Sequence, residues 1–253
     1  MKNDYIEKYG FKMVLKQEAD KVGIDLTDEM LQKFEKYKDL LIEWNQKMNL
    51  TSITEDYEVI MKHYIDCLEI VKYIPDGSNI IDVGTGAGFP GIVISIYFNN
   101  KVKITLLDAL NKRLIFLKEV IKELNLKNIE IVHGRAEELA NKEEYRQQYD
   151  IVVSRAVSNL STLLEYDSGY IKVGGKCLFL KGDSVNIEID EAKKAFDILK
   201  CSVSNLYKYT YVVNNEKYNR YILEILKNSN TPKNYPRNNG QIKKNPLKWH
   251  KNI

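Results

Sequence analysis

Residues 80–91 read IIDVGTGAGFPG: an apolar run, an acid, then Gly84, Gly86, Gly88 and Gly91. Glycine loses more backbone entropy on folding than any other residue. Four glycines within eight positions exceed what a plain turn requires. They point to a backbone that turns tightly off a strand and meets a ligand with no Cβ in the way. Pro90 suits the first turn of a following helix.

The surrounding pattern predicts the sheet that delivers this loop. NIIDV, VKITLLD, NIEIVHG, YDIVVSRA and GKCLFLKG are short apolar runs, each followed by a helical stretch, as in the stripe Leu114, Leu117, Ile121 and Leu124. Such alternation predicts a parallel sheet covered on both faces. SVSNLYKYTYVV and YNRYILEILK, linked by NNEK, read as a closing antiparallel hairpin. Residues 1–75 read as a helical N-terminal segment. Thr27 caps a helix whose stripe is Met30, Phe34, Tyr37, Leu41, Trp44 and Met48, at helical spacing. A second helix starts near Asp56, buries Ile60, Tyr64, Cys67 and Val71, and stops at Pro75-Asp76-Gly77. The expected division is a helical segment over 1–75, an α/β domain over 76–228 and a tail over 229–253.

Net charge is +3, yet no acid follows Glu224, while Arg237, Lys243, Lys244, Lys248 and Lys251 do. A basic end of this kind is expected to be solvated, with an arm for nucleic acid as the second reading. Cys67, Cys177 and Cys201 lie far apart, which argues against a metal site or redox pair and fits a reducing compartment. Neither a leader-like apolar segment nor a membrane-length run is present, so a cytoplasmic protein is expected.

In an open parallel sheet the ligand sits beyond the strands' carboxyl ends. Gly86–Gly91 matches the dinucleotide pattern GxGxxG, which is weak evidence for a nicotinamide cofactor when it stands alone. The longer string DVGTGAG resembles the first motif of S-adenosylmethionine methyltransferases. Asp108, ending the second strand, is placed to accept from ribose hydroxyls with either cofactor. Gly134-Arg135-Ala136-Glu137 would form the loop beside an adenine, and Glu137 with Glu138 would also suit a helix start. Lys112 and Arg113, at the positive end of the next helix, hint at an external anion. At the fourth strand, Val153-Ser154-Arg155-Ala156 lacks the Asn/Asp-Pro-Pro-aromatic motif of exocyclic-amine methylation, and no cysteine is placed for attack on cytosine. An acceptor that is nucleophilic while neutral, such as guanine N7, then needs positioning and no general base.

These residues resemble the bacterial small-subunit ribosomal RNA guanine-N7 methyltransferases, the glucose-inhibited division protein B family. The likeness runs through WNQKMNLTSI (44–53), KHYIDCL (62–68), DVGTGAGFPGI (82–92), LLDALNKRLIFL (107–118), GRAEEL (134–139), SRAV (154–157), LKG (180–182) and TPKNYPRNNGQIKKNPL (231–247). Cys67 stands where many members have Ser. The resemblance implies a class I, Rossmann-like S-adenosylmethionine methyltransferase with an antiparallel last strand. It implies 16S ribosomal RNA or the small subunit as partner, with no metal, and a monomer is expected. It implies Gly84, Phe89, Ala136, Glu137 and Arg155 as cofactor contacts, to which the residue reading adds Gly86 and Asp108. Catalytic candidates are Arg155, Lys181 and His63; RNA candidates are Arg155, Lys181 and Arg220. His63 also reads as a satisfied histidine locking its helix to the sheet, and Lys181 and Arg220 as surface charges. A side chain at Gly84 is expected to intrude on the cofactor. The competing readings are a small-molecule or protein methyltransferase on the same fold, and a non-catalytic RNA-binding module.

Overall fold

The computed structural model describes residues 3–249, so Lys251 of the tail lies outside them. Seven strands form one sheet: β1 (Asn79–Val83), β2 (Lys103–Asp108), β3 (Ile129–His133), β4 (Tyr149–Arg155), β5 (Ile171–Lys181), β6 (Cys201–Val213) and β7 (Glu216–Lys227). Their order is β3-β2-β1-β4-β5-β7-β6. The first five are parallel. β7 runs antiparallel to β5 and to β6.

Burial explains the apolar runs. In β1, Ile80, Ile81, Asp82 and Val83 are all buried, because helices cover both faces. The helix Gly91–Phe98 is apolar except for Ser95 and is buried on nearly every side, as expected of a helix held between the sheet and an outer layer. The β6–β7 turn is tighter than NNEK suggested. Asn214 and Asn215 alone make it, at φ 50° and 65°, the two-residue geometry that matches strand twist and that asparagine tolerates. Glu216 and Lys217 already pair in the ladder.

The outer layer is the N-terminal segment. Thr27 Oγ1 accepts from the Met30 amide at 3.3 Å, starting the helix Asp28–Met48, and Asn49 ends it in the left-handed region. Phe34, Tyr37 and Leu41 are buried as expected, joined by Leu31, while Trp44 packs half-buried on Phe116. Residues 56–73 form one continuous helix that changes gauge: an α turn, a π-helical stretch Val59–Ile65, another α turn and a 3₁₀ end. These helices share one core with a face of the sheet, in which Phe34, Tyr64, Ile92 and Phe116 meet. A second core on the opposite face gathers Leu164, Tyr170, Phe179 and Leu199.

The tail departs from expectation. Its described part is docked on the second core, with Thr231, Ile242 and Leu247 buried. Arg146 donates to the carbonyls of Thr231 and Tyr235 at 2.9 and 3.0 Å. Arg237 grips Glu165 with two 2.7 Å bonds, and Lys248 pairs with Glu191. Ionic and main-chain anchors of this kind leave no periodic apolar signature. Among the described residues, no helix is long and apolar enough to cross a membrane.

Tyr37 ties the outer layer to the glycine loop: its buried hydroxyl donates to the Ala87 carbonyl at 2.6 Å. Tyr37→Phe leaves that carbonyl unpartnered and is expected to cost about 1–3 kcal/mol in urea unfolding. An unchanged midpoint would show the bond is not formed in solution.

Candidate active site

A cleft of about 660 Å³ opens at the carboxyl ends of β1, β2 and β4. There the chain order reverses, with β2 on one side of β1 and β4 on the other, the position at which open sheets bind ligands. The four glycines divide into two jobs. Gly84 and Gly86 line the cleft at φ 71° and 61°, a region that costs other residues about 1–2 kcal/mol. A Cβ on Gly86 would meet only the Gly84 carbonyl oxygen, at 3.9 Å, whereas on Gly84 it would lie 2.9 Å from Val157 on the facing lip. Among protein atoms, then, the first obstacle at Gly84 is Val157, and the backbone is strained as well. Gly88 and Gly91 serve packing: a Cβ on Gly91 would meet Leu106 at 2.3 Å and Asp82 at 2.8 Å.

Asp82 binds the loop together, accepting from Thr85 Oγ1 at 2.7 Å and the Gly91 amide at 2.8 Å through Oδ2. Its Oδ1 has no partner among the described residues, and burial raises its pKa to about 6. Asp108 reaches across from β2. It accepts from the Gly86 amide at 3.0 Å, the Leu110 amide at 2.8 Å and Arg113 at 3.1 Å. The anion facing Arg113 is therefore internal. A carboxylate offers about four acceptor sites, so Asp108 keeps one for a ligand. Ala136 and Glu137 line the same end of the cleft while opening the short helix Ala136–Leu139, so both expectations for them coexist.

The opposite wall is a buried polar cluster. Asp66 is fully buried and accepts from Arg220 Nε at 2.9 Å, Tyr209 Oη at 2.8 Å and, more weakly, Arg155 Nη1 at 3.4 Å. Arg155 ends β4, lies 4.9 Å over the Phe89 ring, and donates to the Lys62 carbonyl at 2.9 Å. Its Nη2 is 3.0 Å from His63 Nδ1. A guanidinium can only donate, so His63 Nδ1 is the acceptor and Nε2–H donates to Thr51 Oγ1 at 2.9 Å. Burial, reinforced by Arg155, lowers the His63 pKa to about 3. The ring is neutral, stacks on Phe89 at 4.3 Å, and has both nitrogens engaged. It lines the cleft and locks its helix at once.

Lys181 and Arg220 meet one step away, in a side chamber that shares Ala156 and Ser158 with the cleft. Each cation already has a carboxylate: Lys181 pairs with Glu188 at 2.8 Å and Arg220 with Asp66. Sequence reading missed Asp66, whose partners lie far along the chain, and Glu188, which sits inside the short helix Val185–Glu191. It also missed Tyr166, on the helix Leu160–Asp167, and Asn239 and Lys243, which the docked tail brings to the same cleft.

The two shifted groups set opposing pH dependences. Unfolded His63 takes up a proton near 6.5, which the folded ring refuses until about 3, so its share of stability is lost as pH falls through that window. Asp82 keeps a proton up to about 6 that the unfolded chain loses near 3.8, so its share is lost as pH rises through that range. In urea titrations from about pH 7 to about pH 4, the stability advantage of wild type over His63→Asn should shrink steadily. A gap independent of pH would contradict the neutral, buried ring.

The family model "rRNA small subunit methyltransferase G" matches residues 30–229. A Ribosomal RNA small subunit methyltransferase G from Clostridium tetani is 48% identical over 237 residues, 93% of this chain and 98% of the relative. Its counterpart from Alkaliphilus metalliredigens is 44% identical, covering 94% and 99%. Among solved structures, M. jannaschii TYW2 in complex with AdoMet matches the fold with TM-score 0.50 at 11% identity, over 64% of this chain and 75% of that one. By sequence, the chain belongs to the rRNA small subunit methyltransferase G family.

Proposed function

We propose that this chain methylates N7 of a guanosine in 16S ribosomal RNA, with S-adenosylmethionine as donor. The cofactor is that of the family and the fold. The cleft suits it on its own terms. A Cβ on Gly86 would find no atom nearer than the Gly84 carbonyl oxygen at 3.9 Å, and Asp108 keeps an unspent acceptor site beside it. Asp108, Ala136 and Glu137 would hold the adenosyl end, and Gly84, Gly86 and Phe89 the floor. Arg155 has Nε–H and one Nη2–H beyond the bonds it makes to Lys62, Asp66 and His63, and these suit a carboxylate or a base edge.

Bound there, S-adenosylmethionine would supply an electrophilic sulfonium methyl, which a neutral acceptor lone pair could take as sulfur regains the C–S pair, with no proton to be removed. The observation that carries the guanine N7 reading is the state of His63: among the described residues it is the one histidine lining the cleft, and it is neutral, with both nitrogens spent. An acceptor that must shed a proton would find no imidazole base there. The residues then work by orientation, which removes on the order of 7–11 kcal/mol from a bimolecular barrier in favourable cases.

Labelled methyl transfer to small-subunit RNA, mapped to a single N7-methylguanosine, is the test. No transfer to that RNA or to the subunit would overturn the reading, and transfer to a small molecule or protein instead would favour the other acceptors. Arg155→Ala should lower kcat/KM by about 100-fold through lost orientation. Gly86→Val should abolish calorimetric binding of S-adenosylhomocysteine, because Gly86 lines the cleft and a branched side chain there would take up its volume; unchanged affinity would refute the placement.

A further inference from the structure

The side chamber is small, about 170 Å³, and its walls include Lys181, Glu188, Arg220 and Ala156. Lys181 is nearly buried, and its ammonium donates to the Ser158 carbonyl at 3.2 Å and to Glu188 Oε2 at 2.8 Å. An ammonium has three N–H groups, so one is unspent. Glu188 is held from three sides: Oε2 also accepts from the Leu160 amide at 3.0 Å, and Oε1 from Ser184 Oγ at 2.8 Å. Burial alone would raise its pKa, but the bonds from Lys181 and Ser184 outweigh burial and lower it. Ala156, at the junction of chamber and cleft, sits at φ 56°, a left-handed conformation that alanine adopts at a cost of about 1–2 kcal/mol. Strain of this kind collects where a chain is bent to serve a site.

A phosphate site would present unpaired cations. Here Lys181 is matched by Glu188, and Arg220 shares Asp66 with Arg155, so what remains is the third N–H of Lys181 beside the N–H groups of Arg220 that Asp66 does not take. That suits a carbonyl oxygen. On the guanosine reading above, which this inference rests on, the carbonyl beside N7 is O6. We propose that the chamber receives the O6 edge of the acceptor purine, that Lys181 donates its third N–H to O6, and that Glu188 is the positioning residue that aims the ammonium and neutralises it. Adenine would set its amino donor against the lysine donor and be rejected, since a buried donor left unpaired is costly. Neutralisation matters because N7 methylation leaves the base cationic. A bare ammonium at O6 would oppose that charge, whereas a Lys–Glu pair does not.

The test uses small-subunit RNA carrying either guanosine or 2-aminopurine riboside at the target, the latter keeping N7 and lacking O6. RNA affinity without cofactor, and single-turnover methylation, are measured for wild type, Lys181→Met and Glu188→Gln. Wild type should lose about tenfold in affinity when O6 is absent, the scale of one hydrogen bond from a charged donor. Lys181→Met should show that loss on the guanosine RNA and none beyond it on the analogue. Glu188→Gln should slow single-turnover transfer by about tenfold and narrow the guanosine preference, with affinity for S-adenosylhomocysteine unchanged. A wild type indifferent to O6 overturns the inference even if neither variant folds. So does a guanosine preference that survives in Lys181→Met. If wild type methylates no guanosine in the RNA at all, it is the function above that falls, and the inference with it.

Discussion

The arrangement of the site depends on one buried carboxylate. Asp66 is fully buried, and a lone charge taken out of water is very costly unless paired. It is satisfied by Arg220 from β7, Tyr209 from β6 and Arg155 from β4. Four parts of the chain, including the helix 56–73, are thereby tied at one point beneath the cleft. Removing the carboxylate would strand two guanidiniums in a poorly solvated place, and breaking a buried pair in this way typically costs about 3–5 kcal/mol.

From that anchor the wall follows. Arg155, held by Asp66 and the Lys62 carbonyl, covers Phe89 and fixes the His63 tautomer. Opposite it, the glycine loop is fixed by Asp82 from below, by Asp108 from β2 and by Tyr37 from the outer helix. Nothing in this construction leaves a mobile imidazole base. Charge is largely paired locally instead, with Lys181 on Glu188, Arg113 on Asp108, and Arg155 and Arg220 together on the single Asp66. A site of paired charges suits a reaction in which a positive charge changes place and no proton is transferred.

Local pattern made part of this legible in the sequence. Asp82 and the glycines announced a strand and a ligand loop, and Asp108 and Ala136-Glu137 followed at the ends of the next strands. The helical stripe correctly buried Phe34, Tyr37 and Leu41. Long-range pairing was not legible: Asp66 and Arg220 are 154 residues apart, and nothing local to either marks the other. Arg113 suggested an external anion because its partner lies across a loop. The π-helical gauge at Val59–Ile65 has no compositional signal. The tail was expected to be solvated because its anchors, Arg237 on Glu165 and Arg146 on main-chain carbonyls, are polar and aperiodic. Even for the glycines, sequence could not separate Gly84 and Gly86, which face the cleft, from Gly88 and Gly91, which admit neighbouring side chains.

The state of His63 carries the link from the Asp66 anchor to a base-free acceptor, and nitrogen NMR of the imidazole reads it directly. A neutral ring protonated on Nε2, unchanged from neutral pH down to about pH 5, is the outcome that burial beside Arg155 requires. A ring that titrates near its ordinary value, or carries its proton on Nδ1, would mean that Arg155 does not hold it and that a general base stands in the cleft after all.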